Sequence, residues 1–184
     1  PESRAPLFAP AELPVYAGLE FIEFAATPSQ AGVLGDRLAQ LGFAAEGAHR
    51  SKCVSLWRNG GARVVVNAQP HSWADHFHQR HGVSLCAMAL RVSQSAAIVE
   101  RARALGYATW QGDAGPNESP IPAVCAPDGS LIYLIEVGDD IYTRDFHLRT
   151  DVTPRDDYCG IDHLALGMEP DSRDNWIIFF RTVF

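Results

Sequence analysis

The chain repeats itself, and that constrains its fold more than any other feature. A Phe- and Ile-rich stretch, Gly18-Leu-Glu-Phe-Ile-Glu-Phe-Ala25, leads into a helix signal, a glycine stop and two short apolar runs. The same order restarts at Val83 and begins a third time at Gly160. A unit recurring at this spacing is one supersecondary module used more than once. In the first unit the imperfect alternation of 18–25 predicts a strand. Thr27 is a candidate N-cap, Pro28 fits the first helical position and Gln30 can close a capping box. Ala31, Leu34, Leu38 and Leu41 then mark one helical face, and Gly42 stops it. Strands are expected over 52–58 and 62–67, joined by the hairpin signal Asn59-Gly60-Gly61.

The second unit follows the same pattern. Residues 83–92 read as a strand and Ser93 as an N-cap. Ile98, Ala102 and Leu105 share a helical face, which Gly106 ends. Leu105-Gly106-Tyr107 mirrors Leu41-Gly42-Phe43. Strands over 121–126 and 131–137 flank Pro127-Asp128-Gly129, a turn sequence. In the third unit, 160–167 reads as a strand, and Asp171 can cap a helix carrying Trp176, Phe180 and Val183. Each unit carries one amphipathic helix and several strands, which gives an α+β chain. One helix covers one face of such a sheet. The other face is free to pack on a second module or to curve around a cavity.

With 184 residues, of which 47% are hydrophobic, the chain can bury a real core in one domain or two small ones. Its 15 Lys+Arg against 22 Asp+Glu, without a basic run, argue against nucleic-acid or anionic-membrane binding. No apolar run is long enough for a membrane span, and no signal-peptide pattern opens the sequence. Cys53, Cys86, Cys125 and Cys159 form no CxxC pair, which fits a reducing, cytoplasmic setting. The first three lie in apolar runs, where a small buried hydrophobe is the simplest role. Residues 1–17, rich in Pro, read as a linker or arm from an upstream domain. The non-Met start and the helix-like end, Ile177–Phe184, suggest a piece of a longer protein.

Six motifs carry a family resemblance: GLEFIEFA (18–25), HRSKCVSLWRNGG (49–61), VVNAQPHS (65–72), HGVSLCAMALRV (81–92), ESPIPAV (118–124) and GIDHLALG (160–167). In this order they resemble 4-hydroxyphenylpyruvate dioxygenases, members of the glyoxalase or vicinal oxygen chelate superfamily. The resemblance implies paired βαβββ modules with curved mixed sheets. It implies a metal-free amino half, here 18–150, and a carboxy-terminal half that holds one divalent ion through two His and one Glu. Residues 151–184 would open that second half, with His163 of the IDH motif as the first metal ligand. The second His and the Glu would lie downstream, outside this chain. A 2-His-1-carboxylate face leaves positions open for a 2-oxo acid and O₂.

Aligning the units places Phe21 where His163 stands, and Cys86 or Ala87 at the matching place in the second unit. The resemblance has two branches. The Pro-rich arm and PDGSLIYLIE (127–136) favour a bacterial fusion, in which a sugar-phosphate-isomerase-like TIM barrel precedes a dioxygenase-like half. That implies a metal-dependent 3-dehydroshikimate dehydratase, forming protocatechuate in quinate and shikimate catabolism, with Mg, Mn or Co as its ion. The alternative is a genuine Fe(II) dioxygenase that forms homogentisate. A third reading is a non-enzymatic scaffold module. On the first reading this segment is a non-catalytic half. Its partners are the rest of the dioxygenase-like region, the barrel and further copies in a homo-oligomer, and the whole enzyme's substrate is a small molecule.

Other constellations are weaker. His71, His76, His78 and His81 crowd the stretch after Pro70, with Ser72 able to cap a helix that ends at His81. On that helix His76 and His78 point apart, and only His78 and His81 could pair. Glu20 and Glu23 would face opposite sides of a strand, so they are not an acid–base pair. The cluster His49-Arg50-Ser51-Lys52 reads as surface or inter-module contact, with anion binding as a weaker option. Asp139-Asp140 and Asp156-Asp157 read as solvated doublets. No Ser-His-Asp arrangement or phosphate-binding glycine loop is evident.

Overall fold

The computed structural model describes residues 14–112, 118 and 120–184. In chain order the first module is β1 (Tyr16–Ala25), α1 (Pro28–Gln40), β2 (Ala44–His49), β3 (Val54–Asn59) and β4 (Ala62–Asn67). A helix, α2 (Trp73–His81), links it to the second module: β5 (Ser84–Val92), α3 (Ser95–Ala104), β6 (Thr109–Gln111), β7 (Pro122–Cys125) and β8 (Leu131–Glu136). Then come α4 (Ile141–Asp145), β9 (Phe146–Leu148) and α5 (Arg173–Val183).

The described strands form one nine-stranded mixed sheet in the order β6-β7-β8-β5-β1-β4-β3-β2-β9. Its centre is the antiparallel pair β1 and β5. Outward from it the modules match: β1 runs parallel to β4 and β5 parallel to β8, and antiparallel strands complete each side. This is the paired βαβββ architecture, with β9 added beyond β2. Periodicity alone misses β2, β6, α4 and β9. The three strands among these are short or Gly- and Ala-rich, and tertiary pairing defines them.

The helix signals hold where a local cap exists. Thr27 accepts a hydrogen bond from the Gln30 amide, and the Thr27 amide donates to Gln30 Oε1 at 3.0 Å, completing the capping box. Ser72 caps α2 in the same way, accepting from the Asp75 amide at 3.1 Å. Ser93 does not cap α3. The N-cap is Gln94, in a left-handed conformation, while Ser93 Oγ accepts from the Val15 amide at 2.9 Å. Asp171 lies in a 3₁₀ turn ahead of α5 and makes no capping bond. Leu41 and Leu105, assigned to buried helix faces, are the C-caps of α1 and α3 and remain exposed.

The helices α1, α3 and α5 cover one face. Leu38 of α1 packs on Val64 and Val66. Ile98 and Ala102 of α3 share a cluster with Ile132, Leu134 and the α5 residues Trp176, Phe179 and Val183. With Trp176 and Val183 it is Phe179 that is buried on α5, while Phe180 is only partly buried. The opposite, concave face holds Phe21, Val65, Ala89, Tyr133, Tyr142 and Phe146. At one end α2 closes over it, setting Ala74 and Phe77 against Ala25, Cys86 and Leu131.

Two expectations change. The strand expected over 160–167 does not form; the segment after β9 has no regular structure before Pro170. A strand needs a ladder partner, and none of the described strands pairs with it. The 1–17 arm lies outside the described residues except at its end, where Tyr16 and Ala17 already belong to β1. The acidic doublets are largely exposed, as expected, and also make local bonds. Asp140 caps α4 by accepting from the Tyr142 and Thr143 amides, and Asp139 pairs with Arg144 at 3.0 Å. Asp157 accepts from Asn59 Nδ2 at 3.1 Å and returns its amide to Asn59 Oδ1 at 2.9 Å.

Candidate functional site

The concave face carries its polar groups on strand positions where the sequence is otherwise apolar. In β1 the register passes from Leu19 opposite Leu90 to Phe21 opposite Ala89, so Glu20 is an extra, bulged residue. That bulge brings Glu20 and Glu23 to the same face. Glu20 accepts from Tyr142 Oη at 2.8 Å and Glu23 lies with Tyr133, and both tyrosines pack in one cluster. The opposite-face expectation fails because strict alternation breaks at a bulge.

The two carboxyls have different surroundings. Glu20 sits between two guanidinium groups: Arg91 Nε donates to it at 2.6 Å and Arg63 lies 3.6 Å away. Arg63 also stacks over the Tyr142 ring at 4.4 Å. This is a neutralised structural knot that anchors α4. Glu23 is buried without a cation in contact. Asn67 Nδ2 donates to Glu23 Oε1 at 2.7 Å, and Tyr133 hydrogen-bonds the same carboxyl. The Cys86 thiol donates to the Glu23 backbone carbonyl at 3.5 Å. Burial pushes the Glu23 carboxyl above its ordinary range, partly offset by the Asn67 bond. Burial also drives the Tyr133 phenol and the Cys86 thiol well up.

These groups form one side of a cavity of about 700 Å³. Lys52, the only lysine in the sequence, lines it and donates to Glu118 at 3.1 Å. Ser51 also hydrogen-bonds Glu118. His49 lies 3.6 Å from Glu118, and burial together with Lys52 lowers its pKa, which favours the neutral imidazole. The cluster at 49–52 thus divides. His49, Ser51 and Lys52 face the cavity and meet Glu118 of the second module, as inter-module contact implies. Arg50 turns away to donate to the Arg144 and Thr143 carbonyls.

An aromatic wall continues from Tyr133. Trp73 and Trp110 meet edge to face at 6.1 Å and Trp110 and Tyr133 at 6.0 Å, while Phe21 and Tyr133 are tilted at 5.9 Å. The Trp73 indole donates to the Gly129 carbonyl at 2.9 Å, fixing that wall to the β7–β8 turn. Sequence reasoning missed this site. Its signals were single polar residues in apolar strands: Glu23, Asn67 after three valines, and Tyr133.

No three His, Cys, Asp or Glu side chains among the described residues could together hold a metal ion. Phe21 has no donor atom, and Cys86 keeps its proton; both line the cavity with Ala87. The helix histidines are spoken for separately. His76 bonds the Ser72 carbonyl at 2.8 Å, His78 bonds Gln30 at 2.7 Å and His81 stacks on Phe77. His163 is 82% exposed and touches Asp162 at 2.9 Å. The residues described here do not fit a complete family metal set. Of the four free thiols, Cys86 alone is buried; Cys53, in an apolar run, is exposed because it precedes β3 instead of lying within it.

Over residues 12–147 the sequence matches the N-terminal domain of hydroxyphenylpyruvate dioxygenase (Glyoxalase_5). The chain belongs to that family. It is 44% identical over 181 residues to the 3-dehydroshikimate dehydratase of Pseudomonas putida, covering 97% of this chain and 28% of that protein. The dehydratase of Pseudomonas aeruginosa is 45% identical over 186 residues, with the same coverage. A 4-hydroxyphenylpyruvate dioxygenase from a Pseudomonas species is 35% identical over 174 residues, covering 91% of this chain and 48% of that one.

A solved fusion of a xylose isomerase-like TIM barrel with 4-hydroxyphenylpyruvate dioxygenase superposes with a TM-score of 0.87. It is 44% identical and covers 97% of this chain and 28% of its own. 4-Hydroxymandelate synthase from Streptomyces coelicolor, 18% identical with a TM-score of 0.71, shares the fold. The hydroxyphenylpyruvate dioxygenase-like chain thus spans little more than a quarter of the dehydratases it matches. No described helix is long and apolar enough to cross a membrane.

Proposed function

We propose that this chain is the non-catalytic, metal-free half of the dioxygenase-like region in a metal-dependent 3-dehydroshikimate dehydratase. The observation that carries this reading is the superposition on the barrel–dioxygenase fusion over 97% of the chain at 44% identity. The similarity to named dehydratases, above that to the dioxygenase, points the same way. The dehydration forming protocatechuate then belongs to an upstream barrel, in the cytoplasm, as part of quinate and shikimate breakdown. Residues 18–150 supply an open, curved sheet for the second half to pack against. Residues 151–184 open that half, and His163 is its first metal ligand. Its imidazole is 82% exposed and touches only the neighbouring Asp162 among the described contacts, which is compatible with that role.

The described part of this chain supplies support for that chemistry, not reacting groups. Glu20 is neutralised by Arg63 and Arg91, and the Glu23 carboxyl is enclosed with Asn67 and Tyr133. The second reading, a genuine Fe(II) dioxygenase, is favoured by the family match over 12–147 and the 35% identical dioxygenase. Full-length protein, offered each substrate in an oxygen electrode, separates the two. Protocatechuate from 3-dehydroshikimate without oxygen uptake is the expected result. Oxygen consumption with 4-hydroxyphenylpyruvate, and no protocatechuate, would replace it with the dioxygenase reading.

A further inference from the structure

We propose that the concave cavity of this metal-free half is a binding site of its own, for a small uncharged phenol. The inference stands on the cavity and is independent of which reaction the whole protein performs. Its volume, about 700 Å³, lies within the range of small-molecule sites. Its lining has two parts that meet at the Glu23–Tyr133 hydrogen bond. One is a continuous aromatic surface, Trp73, Trp110, Tyr133 and Phe21, suited to a flat ring. The other offers hydrogen-bonding groups, with Glu23, Asn67 and Lys52 all lining the same space.

The charges on that polar side select against both kinds of ion. Lys52 is already bound to Glu118, whose side chain is 4% exposed, so the ammonium is not offered to an incoming carboxylate. An anion would also approach the Glu23 and Glu118 carboxyls. A cation would have to take Glu118 from Lys52 to gain a counter-charge. A neutral ring with hydroxyl groups avoids both costs, stacks on the aromatic side and exchanges hydrogen bonds with Glu23 and Tyr133. Glu23, Asn67 and Tyr133 already bond one another, so a ring without hydroxyls could only stack, while a hydroxylated ring would add hydrogen bonds to that network.

Calorimetric titration of the full-length protein with catechol, benzoate, benzylamine and cyclohexane-1,2-diol tests this, with 5-fluorotryptophan incorporated for ¹⁹F NMR. Catechol is expected to bind at least about tenfold tighter than the other three. Its addition should shift the Trp73 and Trp110 resonances and leave Trp57 and Trp176 unmoved. Trp110→Ala and Glu23→Leu should each weaken catechol about tenfold or more; either suffices if the other fails to fold. Equal binding of benzoate or benzylamine, shifts confined to Trp57 or Trp176, or unchanged affinity in a folded Trp110→Ala protein would overturn the proposal.

Discussion

Tyr142 Oη donates to Glu20 Oε1 at 2.8 Å, joining α4 to the bulge in β1 across most of the chain. The bond is buried, and its acceptor is also held by Arg91 and approached by Arg63. Removing the hydroxyl while keeping the ring isolates its contribution. Tyr142→Phe should lower stability by about 1.5–3 kcal/mol, the range for a hydrogen bond to a charged group. Urea unfolding measures it, with the midpoint falling and the slope unchanged.

Glu23 gives a pH signature. Its carboxyl titrates above the ordinary 4.5 because burial penalises the charged form. The folded chain therefore holds this proton to higher pH than the unfolded chain does. The stability tied to it is complete below about 4.5 and is lost as pH rises through the raised native value. Glu23→Gln removes that loss. Urea midpoints measured from pH 4 to 8 should fall with rising pH more steeply in the parent than in the variant.

The turn at Gly61 is fixed by what crosses it. Its amide donates to the Tyr158 carbonyl at 2.7 Å, and a Cβ at Gly61 would run into the Cys159 carbonyl. Gly61→Ala must displace the segment at 155–160. The expected loss is at least the roughly 1 kcal/mol of that hydrogen bond. Faster protease cleavage within 155–160 should accompany it, while β3 and β4 stay protected.

Thiol labelling should separate the cysteines. Cys53 and Cys159 are exposed, Cys125 is half-buried, and Cys86 is buried beside Glu23. A disulfide reagent at pH 8 should modify Cys53 and Cys159 first. Cys86 should react only on unfolding, because burial also suppresses its thiolate.

What could be read from the residues followed their range of interaction. The Thr27–Gln30 capping box, the Asn59-Gly60-Gly61 hairpin and the restart at Val83 are local signals, and the structure has each of them. The module pairing followed from the repeat and the family resemblance. Features set by distant chain were not legible. The bulge at Glu20 depends on register against β5, and β9 exists because β2 offers an edge. The strand expected at 160–167 had the right composition and no partner to pair with. The cavity combines Lys52, Glu118 and Trp110 from separate strands and loops, which no sequence spacing connects.

On the proposed reading, the sheet built by residues 16–148 is the metal-free half and His163 serves the other. Metal content of the full-length protein, measured by mass spectrometry on His163→Ala and Glu23→Gln variants, tests it most directly. His163→Ala should lose the dioxygenase-half ion while Glu23→Gln keeps the parent content. Full retention in His163→Ala, with loss in Glu23→Gln, would contradict it.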